Sequence, residues 1–391
     1  MPLFSQEKQM AKRIIAGFLA VFMLLSASAL AEYEQYRLEV PEKDDAVQLW
    51  EIFPLDAHNV IVRMYSPDVP WYVNWYRDGQ KIRSLVTAGD FDRKTPAEPV
   101  ISGNGLLYML CRIPAEENAA GAWPSPNATA QWEDSGLTQV TPITERVKAT
   151  RWDNRIIVYE TEEHTRIWYN GEDLFVSPEL AGTLATGDCF ALEDGVLLTR
   201  YRDRITETRG FLCLDHGEVR YRLDDSVRGR DMFPDGKGGF FSSQWDYIEW
   251  TDKRNYDPVK LLHVNRDGQQ DMTWELLGDR VILTADRSFY DPQAKTLTVY
   301  GNAVNTARNI LAVFAITLDD EMNTVGLDVR NIDPDYIGCE AKTYLTPDGY
   351  PYIYLFDRDH TDRISPAVIP FSLAGQSRDD YGITIRRCGD E

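Results

Sequence analysis

The sequence predicts an all-β chain, a propeller of seven four-stranded antiparallel blades, and three observations carry that prediction. Residues 187–225 read as four short strands in a row, with alternating apolar and polar positions broken by turns such as Glu193-Asp194-Gly195 and Asp215-His216-Gly217, the signature of an antiparallel meander. An Asp or Asn turn followed by an aliphatic or aromatic run recurs at Asp56, Asn104, Asp153, Asp194, Asp235, Asp291 and Asp348, a mean interval of about 49 residues against roughly 40 to 50 for a four-stranded blade. Aromatic residues make up 12% of the chain and hydrophobic residues 43%, a composition that favours strands, and no long stretch carries a helical period.

The chain has 391 residues, long enough for two or three ordinary domains, but a closed ring of repeats runs past that size as a single unit. A sandwich of two sheets has no reason to repeat a four-strand unit seven times. A blade alone leaves both faces of its sheet apolar, and radial packing of neighbours buries them. The tryptophans within the repeats, among them Trp132, Trp152, Trp168, Trp245, Trp250 and Trp274, are expected to fill the seams between blades.

The first 31 residues are of a different kind. Lys12-Arg13, an apolar run over 14–25 and the small-residue end Ala29-Leu30-Ala31 describe a secretory signal peptide with cleavage before Glu32. The apolar run is shorter than the roughly 20 residues of a membrane span, and no cysteine follows the cleavage point to take a lipid. The expected organisation is therefore a leader at 1–31 and one propeller domain at 32–391, secreted or otherwise extracytoplasmic. The net charge is −21; losing Lys8, Lys12, Arg13 and Glu7 takes the mature chain to −23. An exported chain this acidic excludes nucleic acid and anionic membrane surfaces as partners.

In order, residues 36–40 alternate in a spare strand ahead of the repeats. The first unit takes 47–55, 60–65, 71–77 and 81–86, and the second 100–102, 105–112, 129–133 and 137–141, with a long proline-bearing loop over 113–128. The third takes 148–152, 155–160, 165–169 and the strand after Asn170-Gly171, a dipeptide that specifies a tight hairpin. The fourth is the meander described above. A fifth runs 231–234, 239–245, 260–265 and 272–276, a sixth 288–290, 296–301, 311–318 and 325–329, and a seventh 341–345, 350–356, 365–371 and 381–386. Closure is expected from residues 37–40 pairing beside 382–386 to seal the seventh blade, since a ring must hide its edge. Cys189 and Cys213 share one blade on its first and third strands, too far apart to bond, so buried thiols are expected.

In this pattern residues 33–387 resemble secreted bacterial seven-bladed β-propellers. The resemblance is one of architecture. The Trp-Asp ending of WD40 blades, the paired glycines of kelch, the Tyr-Trp-Thr-Asp tetrad and the sialidase Asp box do not recur; Gly238-Gly239 occurs once and Asn265-Arg266-Asp267-Gly268 has the wrong spacing for an Asp box. No family's functional residues carry over.

Loops joining second to third strands are unequal in length and rich in charge and aromatics, whereas the opposite turns are mostly tight, which points to the working face. Three features stand there. Trp71 and Trp123 offer aromatic surface for a sugar ring or a peptide side chain. Asp357, Asp359 and Asp362 could give oxygens to calcium, although the Gly and closing Glu of an EF-type loop are missing, so no cofactor is expected beyond that. Arg151, Arg228, Arg230 and Arg287, with Arg146, Lys148 and Lys342, gather near the starts of first strands, and guanidinium groups there suit an anionic ligand, unless Asp188, Asp231, Asp286 and Glu340 neutralise them. Nucleophile elbows, His-x-x-x-His pairs and phosphate loops do not occur in the sequence. The expected function is ligand binding or scaffolding outside the cell, with a small molecule, glycan or protein as partner. The alternatives are a carbohydrate-active hydrolase or lyase using loop carboxylates, which leaves no linear signature, and a sensor or assembly subunit.

Overall fold

A strand with apolar residues at every position, rather than alternate ones, needs cover on both faces of its sheet. Ile156–Glu160, apolar at its first four positions, is buried throughout, and Arg209–Asp215 is buried at five consecutive positions. The computed structural model shows how the cover is supplied. It describes residues 36–37, 48–55, 58–66, 69–86, 98–101, 107–111, 128–133, 136–149, 155–181, 183–202, 206–244, 258–279, 281–305, 309–332, 336, 339–345, 351–356, 367–371 and 381–388. Seven small antiparallel sheets are arranged in a ring.

A two-residue strand, β1 (Tyr36–Arg37), precedes the repeats. The first blade is β2 (Gln48–Pro54), β3 (Asn59–Ser66), β4 (Val69–Arg77) and β5 (Gln80–Val86). The second is β6 (Glu98–Ile101), β7 (Leu107–Cys111), β8 (Ala128–Glu133) and β9 (Gly136–Pro142). The third is β10 (Arg146–Ala149), β11 (Ile156–Glu160), β12 (Thr165–Tyr169) and β13 (Glu172–Ser177). The fourth, β14 (Leu184–Glu193), β15 (Val196–Arg202), β16 (Arg209–Asp215) and β17 (Glu218–Asp224), follows the predicted meander closely. The fifth starts with β18 (Asp231–Pro234), β19 (Phe240–Gln244), β20 (Val259–Val264) and β21 (Gln270–Leu277), and the sixth is β22 (Ile282–Asp291), β23 (Thr296–Val304), β24 (Ile310–Leu318) and β25 (Thr324–Asn331). Beyond them come β26 (Glu340–Leu345), β27 (Pro351–Phe356), β28 (Ala367–Pro370) and the terminal β29 (Thr384–Arg387). Asp194, Asp235 and Asp291 fall at or within the link between the first and second strands of a blade, as the spacing predicts; Asp56, Asn104, Asp153 and Asp348 lie outside the described residues.

The first strands of neighbouring blades touch one another, β10 to β14, β14 to β18, β18 to β22 and β22 to β26. They form the inner ring, and the fourth strands, such as β13 and β17 with their largely exposed patterns, form the rim. Between blades the cores are continuous. One cluster joins Ile167 and Tyr169 of the third blade to Cys189, Leu197 and Leu212 of the fourth. Another joins Leu198, Phe211 and Cys213 of the fourth to Met232 and Phe240 of the fifth. Leu197 and Leu198 are adjacent in sequence and serve opposite seams because side chains alternate across a strand. The same alternation puts Cys189 and Cys213 on opposite faces of their sheet, so both stay reduced.

Trp132 and Trp274 are buried in seams as expected. Asp78-Gly79, Asn170-Gly171 and His216-Gly217 all have positive φ at both positions, the backbone of the two-residue hairpin turn whose twist matches its strands.

The ends of the chain depart from the expected closure. β1 does complete the seventh sheet, whose order is β1-β28-β27-β26. Its partner, however, is β28, with Tyr36 opposite Val368 and Arg37 opposite Ala367, not the strand at 382–386. That C-terminal strand is not the fourth strand of the seventh blade either. It adds a fifth strand to the fifth blade, Leu276 opposite Ile385 and Trp274 opposite Arg387. Tyr381, Ile383 and Ile385 pack on the core shared by the fifth and sixth blades. The period-2 pattern at 381–385 fits the outer edge of any blade, and this apolar seam was the one that took it.

Among the described residues no helix is long and apolar enough to cross a membrane. The leader at 1–31 and the loop over 113–127 lie outside the described residues.

Candidate ligand-binding site

An inner strand is the edge of its sheet, so some of its backbone N–H groups lack a ladder partner. Side chains of neighbouring blades bond the backbone of inner strands in the fifth-to-seventh sector. Ser243 of β19 accepts from the N–H of Ala285 in β22 at 3.4 Å, and Ser288 of β22 donates to the carbonyl of Pro234. One seam further on, the Asp286 carboxylate accepts from the N–H of Thr343 in β26 at 3.1 Å and from the Asn302 amide at 3.4 Å. Asp286 reaches that position because β22 carries a bulge between Ala285 and Arg287, and a bulge re-aims the extra side chain.

Charges gather around this point. Asp231 opens β18, Arg230 precedes it in the link from β17, Arg287 follows Asp286, and Lys342 precedes Thr343 in β26. Burial pushes the Asp231 carboxyl up, against the fields of Arg230, Arg287 and Lys342. Burial also pushes Asp286 up, to about 6, although Arg287 and the Thr343 N–H pull the other way; Asp231 adds to the rise. Asp286 thus sits deep among protein atoms while keeping a partial opening to solvent, and its Oδ1 has no protein partner; nor does Oδ1 of Asn302. Three cations therefore act on Asp231 and one of them, Arg287, on Asp286, two carboxylates whose ionised forms burial disfavours.

Of the residues read from sequence as a ligand site, Arg230 and Arg287 come together here. Arg228 lies exposed in the same link, capping a short helical turn over Asp225–Val227. Arg287 is in the middle of β22, not at its start, because β22 begins six residues earlier than the predicted strand. Trp71 belongs to β4, and its side chain lies outside the described residues, as do Trp123, Arg151, Asp357, Asp359 and Asp362. Among the described residues no group of three or more His, Cys, Asp or Glu is placed to hold a metal ion.

A second concave feature was not visible in the sequence. A cleft of about 320 Å³ opens between the second and third blades, walled by Tyr108, Tyr159 and Trp168 and bordered by Glu145, Arg166 and Asp173. Arg166 stacks over the Tyr159 ring at 3.9 Å, and its guanidinium donates to Glu145 at 2.9 Å and to Asp173 at 2.8 Å. Burial opposes the Glu145 charge, but Arg166 outweighs it and holds that carboxyl below its ordinary range. Burial pushes the Tyr159 hydroxyl up to about 12, so it stays protonated. Trp168, expected only to fill a seam, meets Tyr108 edge to face at 5.5 Å and lines this cleft.

His263, which the sequence placed within a strand, is buried between two carboxylates, Nε2 to Asp235 at 3.0 Å and Nδ1 to Asp271 at 2.6 Å. Burial works to lower its pKa, but the two hydrogen bonds together outweigh that and raise it. Asp235 also accepts from the N–H groups of Lys237 and Gly239. This network ties the turn after β18 to β20 and β21 and is structural.

Seven radially packed antiparallel sheets, six of four strands and one of five, define the chain as a seven-bladed β-propeller. No protein-family model matches the chain, and no curated protein matches it in sequence. Solved structures with a similar course include the Kuenenia stuttgartiensis hydrazine synthase, 12% identical with a TM-score of 0.49 over 86% of this chain and 99% of that one. The Dos1 propeller is 10% identical with a TM-score of 0.40 over 88% and 90%. A member of the DUF4221 family from Bacteroides vulgatus is 11% identical with a TM-score of 0.34 over 91% and 97%. These likenesses carry no argument about function.

Proposed function

We propose that the protein is an exported ligand-binding propeller that takes an anionic ligand, an acidic glycan or another carboxylate-bearing molecule, at the inner ring between its fifth and seventh blades. The observation that supports this reading is Asp286. It occupies a bulge, burial raises its pKa to about 6, and its ionised form costs stability at neutral pH. Groups held at such a cost concentrate at working sites. Arg287 beside it, with Lys342 and Arg230 near Asp231, would hold a carboxylate ligand by charge-assisted hydrogen bonds.

Hydrolysis of a glycan needs a carboxylate pair facing an open cleft. Asp231 instead stands in the field of Arg230, Arg287 and Lys342, and Asp286 in that of Arg287, an arrangement suited to binding.

The test is calorimetric titration of the mature chain with galacturonate oligomers and with their neutral galactose counterparts, at low and high salt. The acidic oligomers are expected to bind, more weakly as salt rises. Arg287→Gln or Lys342→Gln should weaken them by about tenfold, or about 1.4 kcal/mol. Equal affinity for neutral oligomers, or variants that bind as the parent does, would overturn the reading.

A further inference from the structure

The cleft between the second and third blades is separate from the inner-ring cluster and has a different chemistry. Its volume, about 320 Å³, lies at the lower end of the roughly 300 to 1,000 Å³ of ligand pockets. The seam beneath it has a small buried core, Val100, Leu110, Val147, Ile157 and Tyr159, with Tyr108, Ile143 and Trp168 only partly covered. Aromatic surface is thus left facing a cavity, next to a polar network already fixed in place.

Charge narrows what could enter. Glu145, Glu172 and Asp173 line the cleft against the single cation Arg166, so an anion is repelled. A cation would seek the Tyr159 face, but Arg166 already covers it at 3.9 Å. Glu145 and Asp173 are likewise already bonded to Arg166. A neutral polyhydroxyl ligand meets neither obstacle. A pyranose ring has an apolar C–H face suited to the rings of Tyr108 and Trp168. Its hydroxyls each donate and accept, and the carboxylate oxygens of Glu145 and Asp173 have lone pairs left over from Arg166. Because Arg166 pins both carboxylates, little side-chain entropy remains to be lost on binding. The geometry points to this cleft as a binding site for a neutral sugar, one or two rings in length.

The experiment uses the mature chain and a set of neutral probes: the methyl glycosides of glucose, galactose, mannose and xylose, with cellobiose, maltose and xylobiose. Saturation-transfer NMR and calorimetry read binding, and hydrogen exchange locates it. At least one probe should bind saturably and protect residues 107–111 and 156–173. Asp173→Asn and Glu145→Gln should each weaken that probe about tenfold, and Trp168→Phe, which keeps the seam filled, should weaken it as well. The Asp173 side chain is exposed, so Asp173→Asn keeps the test valid if Glu145→Gln disturbs folding. Saturating trigalacturonate should not displace the bound neutral sugar. Absence of saturable binding across the whole set would overturn the inference. So would affinity unchanged in both carboxylate variants, displacement by trigalacturonate, or tighter binding of benzyltrimethylammonium than of any sugar.

Discussion

Replacing Asp286 by Asn should make the protein more stable at neutral pH. The side chain keeps its shape, its amide oxygen still accepts from the Thr343 N–H, and its amide nitrogen takes the place of the buried carboxylate Oδ1, which has no partner. The folded-state pKa is about 6 against an ordinary value of 3.8. A group whose pKa is raised by folding leaves stability untouched below the lower value. Stability then falls as pH rises from about 3.8 to about 6 and stays down above that. The gap corresponds to about 3 kcal/mol at pH 7; the variant removes a charge from the field of Arg287 and leaves a buried amide nitrogen unpaired, so a gain of about 1 kcal/mol is expected. Urea unfolding of parent and variant at pH 3.5, 5 and 7.5 reads it. The difference should be near zero at the first pH and largest at the last. A variant less stable than the parent at pH 7.5, or an offset independent of pH, would refute the argument that burial dominates this carboxylate.

Other consequences are as direct. The His263 pKa is raised by Asp235 and Asp271, so its contribution is complete below pH 6.5 and lost as pH rises through the folded value. Asp271→Asn should flatten the stability profile above pH 6.5 in a urea series, and an unchanged slope there would contradict the assignment. Deleting residues 32–40 exposes the edge of β28, where Ala367 and Val368 are buried; a marked drop in Tm with oligomers in light scattering is expected, and a Tm within a degree of the parent would count against closure by β1. Ending the chain before Tyr381 removes two half-buried isoleucines and a strand pairing, for a loss of about 2 to 4 kcal/mol in chemical unfolding. Gly217→Ala forces a side chain onto φ +94° and against Phe175 at 2.9 Å, so it should cost more than the roughly 1 kcal/mol of a simple left-handed strain.

The blades were legible because their signals are local. Asp194-Gly195 and Asn170-Gly171 specify tight turns wherever they stand, and runs such as Ile156–Glu160 announce a strand covered on both faces. What a strand pairs with is another matter. Residues 381–385 carry a sound period-2 pattern, yet the pattern fixes which face is apolar and leaves the partner open, so the seventh blade was given a strand that belongs to the fifth. Its true fourth strand, Tyr36–Arg37, is too short for a period to show. The inner-ring cluster was half visible. Arg230, Asp231, Asp286, Arg287 and Lys342 could be placed near first strands by the repeat, but the bulge that aims Asp286 at Thr343 exists only in the register of β22 against β23. The cleft left the faintest trace. Glu145 and Arg166 stand 21 positions apart, and Trp168 reads as seam filler until Tyr108 of the neighbouring blade is set beside it.

The central claim is that the cations of the inner ring hold an anionic ligand, and a crystal structure of residues 32–391 with trigalacturonate tests it most directly. The account predicts a ligand carboxylate within hydrogen-bonding distance of the Arg287 guanidinium, with Lys342 or Arg230 also in contact. A saturated complex in which the ligand lies elsewhere, leaving the ring around Asp286 unoccupied, would contradict it.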